Sequence, residues 1–398
     1  MKPIPDCSPA WESWVLLQLT PGVGPQTVRR LLQHTGSVQA ALACLREGAV
    51  PAPPLSPTQA PADWRQVCDR IADWLACARP GEQHALWTLD HPHYPAALRE
   101  IPDPPLCLFV RGQCRPPPQR SVALVGSRNA TRQGLDNARD FARTLADRGW
   151  CVVSGLALGI DGAAHQGALA SRQVGSTLAV VGTGLDQTYP AQHRLLGDEI
   201  ASRGLLMSEF VPGTAPLASN FPRRNRLIAG LSRATVVVEA SLRSGSLITA
   251  HQALDQGRDV MAVPGSIHST QSRGCHALIK QGAKLVESIE DVLVELRHSV
   301  GSESSGSLVA DGQPGWLPEM ASCHQAEGPV PSGDTTSRLL PPDEHRDIWE
   351  ALGLDPAPLD ILCRRIHQET AQVLAGLLAL ELGGWIERLP GGRFQRVR

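Results

Sequence analysis

Lysine is almost absent from this sequence of 398 residues, because Lys2, Lys280 and Lys284 are the only lysines among 37 lysine and arginine residues. Positive charge is therefore carried almost entirely by planar guanidinium groups, which stay protonated and suit phosphates and carboxylates. The 39 acidic residues leave a formal net charge of -2. Overall charge consequently favours no particular partner, and any nucleic-acid surface must be a local basic patch.

The sequence also lacks paired cysteines and long apolar runs. Its ten cysteines include no C-x-x-C pair, which argues against a zinc site or a spaced disulfide framework and favours a reduced compartment. No apolar run approaches the ~18 residues of a membrane span, and residues 1–14 carry prolines and acids where a signal peptide needs an apolar core. We therefore expect a soluble, cytoplasmic protein with no metal site and no membrane partner.

Two common phosphate-binding fingerprints are missing as well. The first strand of the central region leads into G-S-R-N-A-T-R-Q-G rather than G-x-G-x-x-G, and no G-x-x-x-x-G-K-[ST] sequence occurs. These absences argue against a cofactor-dependent oxidoreductase and against a P-loop ATPase. We expect no cofactor.

Composition and periodicity divide the chain into four parts. Residues 1–84 have helical apolar spacing, 85–300 alternate strand and helix patterns, 301–342 are rich in Ser, Gly, Pro and Glu, and 343–398 predict helices followed by a hairpin. The third part is typical of a flexible linker. In the first part, the turn from Thr20 to Pro25 resembles a helix-hairpin-helix element, although one short turn is weak evidence and a plain glycine turn between packed helices is the favoured alternative.

The central part predicts an α/β fold with a doubly wound, mostly parallel sheet. Several of its strand patterns are apolar without alternation, which is typical of strands that helices cover on both faces. The predicted strands are 121–125, 151–153, 177–181, 205–207, 235–238, 260–263 and 284–286.

Glycine follows almost every predicted strand of this sheet. Ligands of open α/β sheets bind outside the carboxyl ends of the strands, where glycine allows close backbone approach and helix N-termini attract anions. The edge is therefore suited to phosphate. The residues that we expect there are Ser127, Arg128, Gly155, Gly159, Gly182 and Gly184.

Segment 221–233 contains four arginines and no acid. Pro222 suits the first turn of a helix, so Arg223, Arg224 and Arg226 would lie near its N-terminus. Cations there oppose the helix dipole, at a cost of a few tenths to about 1 kcal/mol each. The arrangement makes sense if an anion normally lies between them.

Two alternatives stay open for this segment. Individual arginines can instead pair with carboxylates of the same fold. Phe221 can be a core residue or a platform on which a base stacks, which is worth ~1 to 3 kcal/mol per base in proteins that bind single strands. Asn225 lies within the same basic run.

Two further patterns follow strands of the sheet. Ser244, Gly245 and Ser246 open a helix, so a serine can cap it while spare amides face the edge, although capping alone would explain both serines. Asp161 and His165 are four residues apart on one predicted helix. We expect a local structural hydrogen bond between them rather than a catalytic pair.

Six blocks in order over about 165 residues resemble the DprA/Smf (DNA-processing protein A) family, a stronger signal than any single glycine motif. The resemblance extends to an N-terminal domain similar to SAM or helix-hairpin-helix modules and to a C-terminal winged-helix-like domain. The blocks are V-A-L-V-G-S-R at 122–128, S-G-L-A-L-G-I-D-G-A-A-H at 154–165, V-G-T-G-L-D-Q-T-Y-P at 181–190, F-P-R-R-N-R-L-I-A-G-L-S at 221–232, S-G-S-L-I-T-A at 244–250, and V-P-G with G-C-H-A-L-I-K-Q-G-A-K-L within 263–285.

The resemblance implies a non-catalytic role: binding single-stranded DNA, protecting it during natural transformation, and helping to load RecA onto it for recombination. Arg128, the cluster from Arg223 to Arg226 and the glycine-rich edge match the positions where such proteins hold the strand. The family also implies self-association. The strand 284–286 comes last and can lie at an open edge, so His276 and Leu285 are candidates for a homodimer interface, with packing inside one subunit as the alternative.

An enzyme related to phosphoribohydrolases is the alternative function. Those enzymes resemble this sheet and carry a P-G-G-x-G-T-x-x-E segment with a catalytic glutamate. The comparable stretch here is 244–251, which contains no acid.

Overall fold

The computed structural model describes residues 10–20, 23–47, 64–301, 343–352, 357–366, 368–389 and 393–396. They belong to two compact units, residues 1–299 and residues 300–398. The described helices that begin in the first unit are α1 (Ala10–Leu19), α2 (Pro25–Thr35), α3 (Val38–Glu47), α4 (Trp64–Ala76), α5 (Ala96–Arg99), α6 (Arg132–Asp147), α7 (Ile160–Ala170), α8 (Arg194–Arg203), α9 (Asn220–Leu231), α10 (Gly245–Asp255), α11 (Arg273–Lys280) and α12 (Ile289–Gly301).

A nine-stranded sheet organises the first unit, in the order β1-β2-β6-β5-β4-β3-β7-β8-β9. Strands β3 to β9 are parallel to their neighbours among themselves, which confirms the predicted mostly parallel sheet. The antiparallel strands β1 and β2 were not predicted. The strands are β1 (Gln83–Thr88), β2 (Cys107–Gly112), β3 (Ser121–Val125), β4 (Cys151–Ser154), β5 (Thr177–Val180), β6 (Leu205–Ser208), β7 (Ala234–Val237), β8 (Asp259–Ala262) and β9 (Lys284–Leu285).

Helices cover both faces of the sheet. Successive side chains along a strand point to opposite faces, so each strand packs against both helical layers. On β3, Ala123 and Val125 pack with residues of α9, α10 and α11. Val122 and Leu124 pack on the other face with residues of α6, α7 and α12. This arrangement explains why the strand patterns are apolar without alternation. It leaves the ends of the strands, rather than the faces of the sheet, accessible to a ligand.

The N-terminal helices share a core with the sheet. Residues of α1 to α4 form one buried cluster with Phe109 of β2 and Leu206 of β6. Gln18 of α1 reinforces this packing, because its Nε2 donates to the carbonyl of Glu209 at 2.7 Å and its Oε1 accepts from the amide of Cys107 at 2.7 Å. The predicted boundary after residue 84 falls inside β1.

The second unit has its own apolar core, which includes Ile348, Leu362, Leu377 and Phe394. Its helices and strands confirm the predicted winged-helix-like arrangement, with a short additional strand, β10. The elements are α13 (Arg346–Leu352), β10 (Ala357–Pro358), α14 (Leu359–Ile366), α15 (Thr370–Leu382), β11 (Ile386–Leu389) and β12 (Arg393–Arg396).

The described residues bear only in part on the predictions about the linker, membrane spans and metal sites. Of the predicted linker, residues 302–342 lie outside the described residues. In the described parts of the chain, no helix is long and apolar enough to cross a membrane. The same parts contain no group of three or more His, Cys, Asp or Glu residues that could hold a metal ion.

We expect Gln18→Ala to lower the free energy of unfolding by about 1 to 3 kcal/mol, because the substitution leaves the buried amide of Cys107 without its acceptor. Urea-induced unfolding measures the effect. Gln33→Ala, at an exposed position of α2, is the matched control and should change stability by less than about 0.5 kcal/mol. Equal effects of the two substitutions would contradict the role given to Gln18.

Candidate functional site

The order of the strands creates a crevice between β3 and β7. The chain leaves β3 towards β4, β5 and β6 on one side, and it returns to pair β7 on the other side. Such a reversal opens a gap at the carboxyl ends of the two strands. Here the amide of Ser127 donates to the carbonyl of Glu239 at 2.7 Å and joins the two strand exits.

A cavity of about 640 Å³ lies at these strand exits. Its wall combines three arginines, two aromatic rings and small polar residues. Asp161 is the only acidic residue among the described residues that line it. The polar and aromatic lining includes Ser127, Arg128, Asn129, Asp161, Tyr189, Phe221, Arg224, Asn225, Arg243, Ser244, Gly245 and Ser246.

Arg128 and an aromatic pair form one wall of the cavity. The ring of Phe221 lies 5.5 Å from the ring of Tyr189, and the guanidinium carbon of Arg128 lies 5.4 Å from the centre of the Phe221 ring. Arg128 is exposed and forms no ion pair with an acid in the part of the chain that the structure describes. Its charge is therefore available to an anion, and the contact with the Phe221 ring holds the guanidinium at this wall.

Arg224 forms the back of the cavity and is only 3% exposed. Its Nη1 donates to the carbonyl of Val180, and its Nε has no hydrogen-bond partner among the described residues. Burial lowers the pKa of Arg224 to about 10, against the opposing attraction of Asp161, so the group remains a cation at neutral pH. A Cβ added to Gly155 would lie 2.0 Å from Nη1, so glycine at this position makes room for the guanidinium.

Asp161 is the charge partner of Arg224 beneath the cavity. Its Oδ2 accepts from the amides of Gly155 at 3.1 Å and Ala157 at 3.4 Å. Burial raises the pKa of the Asp161 carboxyl, while Arg224 and the two amides act in the opposite direction. Both residues line the cavity, so the Asp161 carboxylate partly compensates the charge of Arg224 there.

The N-terminus of α10 forms the opposite wall. Ser244 caps this helix, since its Oγ accepts from the amide of Ser246 and lies 2.7 Å from the Ser246 hydroxyl. Gly245 is exposed and has open space around it. Arg243 is exposed next to the cap. A helix N-terminus beside an arginine is a site that attracts phosphate.

Of the other predicted residues, Asn225 lines this cavity, whereas Gly159, Gly182 and Gly184 do not. Asn225 contributes to its wall, and its Nδ2 lies 3.4 Å from the carbonyl of Gly245. Gly159, with φ 79°, precedes α7, and Gly182 lies against the ring of Phe221. Gly184 is buried, and its amide donates to the carbonyl of Thr214 rather than facing the cavity.

Arg223 and Arg226 do not converge with Arg128, and this corrects the expected arginine cluster. Arg226 pairs with Glu209 and with Asp103, and Arg223 lies 3.1 Å from Glu209. The side chain of Glu209 is only 1% exposed, so it requires cationic partners. Burial raises the pKa of Glu209, whereas Arg226 and Arg223 act in the opposite direction. Both arginines are therefore engaged with carboxylates.

Comparison with known proteins identifies the family of this chain. Residues 85–297 match the family model described as DNA recombination-mediator protein A, residues 332–392 match the DprA winged helix domain, and residues 11–62 match a DprA-like N-terminal HHH domain. The chain belongs to the DprA/Smf family.

Relatives of this DprA/Smf chain cover much of its length. Protein Smf of Escherichia coli is 41% identical over 79% of this chain and 78% of its own, and Protein Smf of Synechocystis is 35% identical over 96% and 98%. The X-ray structure of DNA processing protein A from Streptococcus pneumoniae is 36% identical, with a TM-score of 0.60, over 71% of this chain and 97% of that chain.

The sequence patterns did not identify several cavity residues of this DprA/Smf member, among them Tyr189, Arg243 and Asn129. Tyr189 lies in the loop between β5 and α8, and Arg243 precedes the Ser244 cap. Asn129 follows Arg128 directly. The position of Arg243 before a capped helix was the available signal, whereas only the tertiary contact with Phe221 identifies Tyr189.

The predicted pairing of Asp161 with His165 is also wrong in this DprA/Smf structure. Asp161 binds backbone amides, and Nδ1 of His165 lies 2.7 Å from the Thr177 hydroxyl. His165 is fully buried, and its Nε2 has no partner among the described residues. Burial, with His193 and Arg224 nearby, lowers the pKa of His165 to about 3.

This pKa predicts a pH dependence of stability. Below about pH 6.5 the unfolded chain protonates His165, whereas the folded protein keeps it neutral down to about pH 3. The free energy of unfolding therefore falls as pH decreases through this window, by at most ~1.4 kcal/mol per pH unit. Urea unfolding at several pH values should show a smaller slope for His165→Gln, and His34→Gln, at an exposed position, is the control. A slope of His165→Gln equal to that of the wild type would contradict the assignment.

Proposed function

We propose that this protein binds single-stranded DNA in the cavity at the carboxyl ends of β3 and β7, protects the strand, and helps to load RecA onto it during natural transformation and recombination. One observation carries the proposal: exposed Arg128 lies over the ring of Phe221, which contacts Tyr189, in the wall of a cavity that buried Arg224 also lines. A cytoplasmic location is part of the same proposal.

The chemistry of the wall supports a single strand as the ligand. Arg128, Arg243 and the amides at the start of α10 would hold phosphates, and the aromatic pair would stack with an unpaired base. Such contacts use groups that every nucleotide possesses, so binding would tolerate any sequence. The bases of an intact duplex are stacked inside the helix and would not reach the rings.

The family description supports the finer statements about recombination. The matching model is described as a recombination mediator, and the relative from Streptococcus pneumoniae is named DNA processing protein DprA. Delivery of the strand to RecA is consistent with these names. Protection follows physically from enclosure, since a phosphate held inside the cavity is less accessible to a nuclease.

A homodimer through the β9 edge is a further part of the proposal. Strand β9 is the last strand of the sheet, and in the described part of the chain nothing pairs with its outer side. Leu285 on β9 is 49% exposed, and Ile267 in the loop between β8 and α11 is 74% exposed. His276 lies beside this loop, with Nε2 2.9 Å from the carbonyl of Gly265. An open edge flanked by apolar side chains supports pairing with a second copy.

The phosphoribohydrolase alternative has less support. The stretch 244–251 opens α10 and supplies serines and amides to the cavity, but no carboxylate. Asp161, the acid that lines the described cavity, accepts two backbone amides and lies beside Arg224. A carboxylate in that position organises the site rather than attacking a substrate. Release of free base from nucleoside monophosphates would revive the enzyme alternative.

Arg128→Ala should weaken binding of a fluorescent single-stranded oligonucleotide and lower the slope of log affinity against log salt concentration by ~0.7 for each phosphate that the variant no longer neutralises. Arg120→Ala is the matched control, because Arg120 is exposed at the opposite end of β3. Competition with duplex DNA should displace the oligonucleotide poorly. The Arg128→Ala variant should also fail to assist RecA on the same oligonucleotide. Unchanged affinity in a folded Arg128→Ala protein would remove the proposal.

Leu285→Arg should shift the protein towards the monomer in sedimentation velocity experiments, because a buried, unpaired charge would be placed at the edge contact. Leu254→Arg is the control, since Leu254 has a comparable exposure of 48% on a different element, α10. A dimer that persists in Leu285→Arg, or a wild-type monomer at every concentration tested, would contradict this interface.

A further inference from the structure

A second, smaller cavity lies next to the main one. It has a volume of about 260 Å³ and shares Arg128 and Asn129 with the main cavity, so these two residues form a ridge between the two spaces. Arg139 of α6 and His193 lie on its far side. None of the described residues that line this smaller cavity is acidic.

Arg139 is held at this cavity by two neighbours. Its Nη1 lies 2.8 Å from Asp136 Oδ1, and its Nε donates to Gln166 Oε1 at 3.3 Å. Asp136 also pairs with Arg132, so one carboxylate is shared between two arginines. The local charge therefore remains positive, and the position of the Arg139 guanidinium is defined before any ligand binds.

His193 provides a polar group on the floor of the smaller cavity. Its Nδ1 lies 2.9 Å from the carbonyl of Leu156, and because a carbonyl can only accept, Nδ1 carries the proton. A Cβ added to Gly162 would lie 2.5 Å from Cε1 and 2.9 Å from Nε2, so glycine lets this edge of the ring approach α7. The ring is thus oriented from both sides.

We propose that the smaller cavity is a second phosphate subsite for the same DNA strand. Arg128 would lie between two successive phosphodiesters, one in each cavity, and Arg139 would provide the second cation for the outer phosphate. The strand would then cross the ridge of Arg128 and Asn129 rather than end in the main cavity. This subsite rests on the proposed single-strand function and adds the direction in which the strand leaves the sheet edge.

Two arginines of α6 allow a phosphate subsite to be distinguished from general attraction by positive charge. A guanidinium that lines a cavity contacts one phosphate directly, whereas a cation elsewhere on the same helix contributes only a screened field. Helix α6 offers both cases. Arg139 lines the smaller cavity, whereas Arg143 lies one turn further along, is 64% exposed, and is 3.9 Å from Asp147.

The experiment measures the affinity of an oligonucleotide at several salt concentrations for the full-length protein and its variants. Arg139→Ala should weaken binding roughly threefold to tenfold and lower the salt slope by ~0.7, the value for one neutralised phosphate on a single strand. Arg139→Lys should restore most of the slope because it keeps the charge. Arg143→Ala should match the wild type, and thermal unfolding of all three variants establishes that they are folded.

A second measurement tests whether Arg128 is shared between the two phosphates. For an oligonucleotide with a single phosphate, only one cavity can be filled. The loss of binding free energy in the Arg128→Ala, Arg139→Ala double variant should then be smaller than the sum of the losses in the two single variants. Equal salt slopes of Arg139→Ala and Arg143→Ala would overturn the subsite. If the wild-type protein does not bind single strands at all, the proposed function itself is wrong. Failure of the proposed function is therefore distinguishable from failure of the subsite alone.

Discussion

The buried guanidinium of Arg224 is the interaction on which the candidate site depends. Removing an ion of this kind from water costs several kcal/mol unless charge and hydrogen bonds compensate for it. Here Asp161 compensates the charge, the carbonyl of Val180 accepts from Nη1, and Gly155 leaves the necessary space. Val180 ends β5, Gly155 follows β4, and Asp161 lies in the first turn of α7. The cation at the back of the cavity therefore links three neighbouring elements.

Helical periodicity divides the arginines of α9 between two roles. Arg223 and Arg226 are three residues apart and share one side of the helix, whereas Arg224 points elsewhere. The first two compensate the buried carboxylate of Glu209, whose carbonyl also accepts from Gln18 of the N-terminal helices. One short basic segment therefore stabilises the contact with α1 on one side and supplies the cation of the cavity on the other.

Sequence patterns were informative where the physics is local. Uninterrupted apolar runs identify β3 to β8 because helices cover both of their faces, and Ser244 is recognisable as a helix cap. Two strands were missed: β1, which is half-exposed, and β2, which is buried throughout but pairs antiparallel outside the predicted alternation of strands and helices. The roles of Arg223 and Arg226 depend on Glu209, which folding brings to them from the end of β6. Spacing shows that these two arginines share a side, but it cannot show which side meets an acid.

At position 128, the difference between arginine and lysine has a physical consequence. An ammonium group is a compact, strongly hydrated charge, whereas a guanidinium can lie flat against a ring and still present donors at its edge. Arg128 lies over Phe221 and borders both cavities, so one planar cation is oriented by an aromatic face and exposed on two sides. A flexible lysine would retain the charge but not this orientation. The ridge between the two cavities therefore depends on the shape of the cation as much as on its charge.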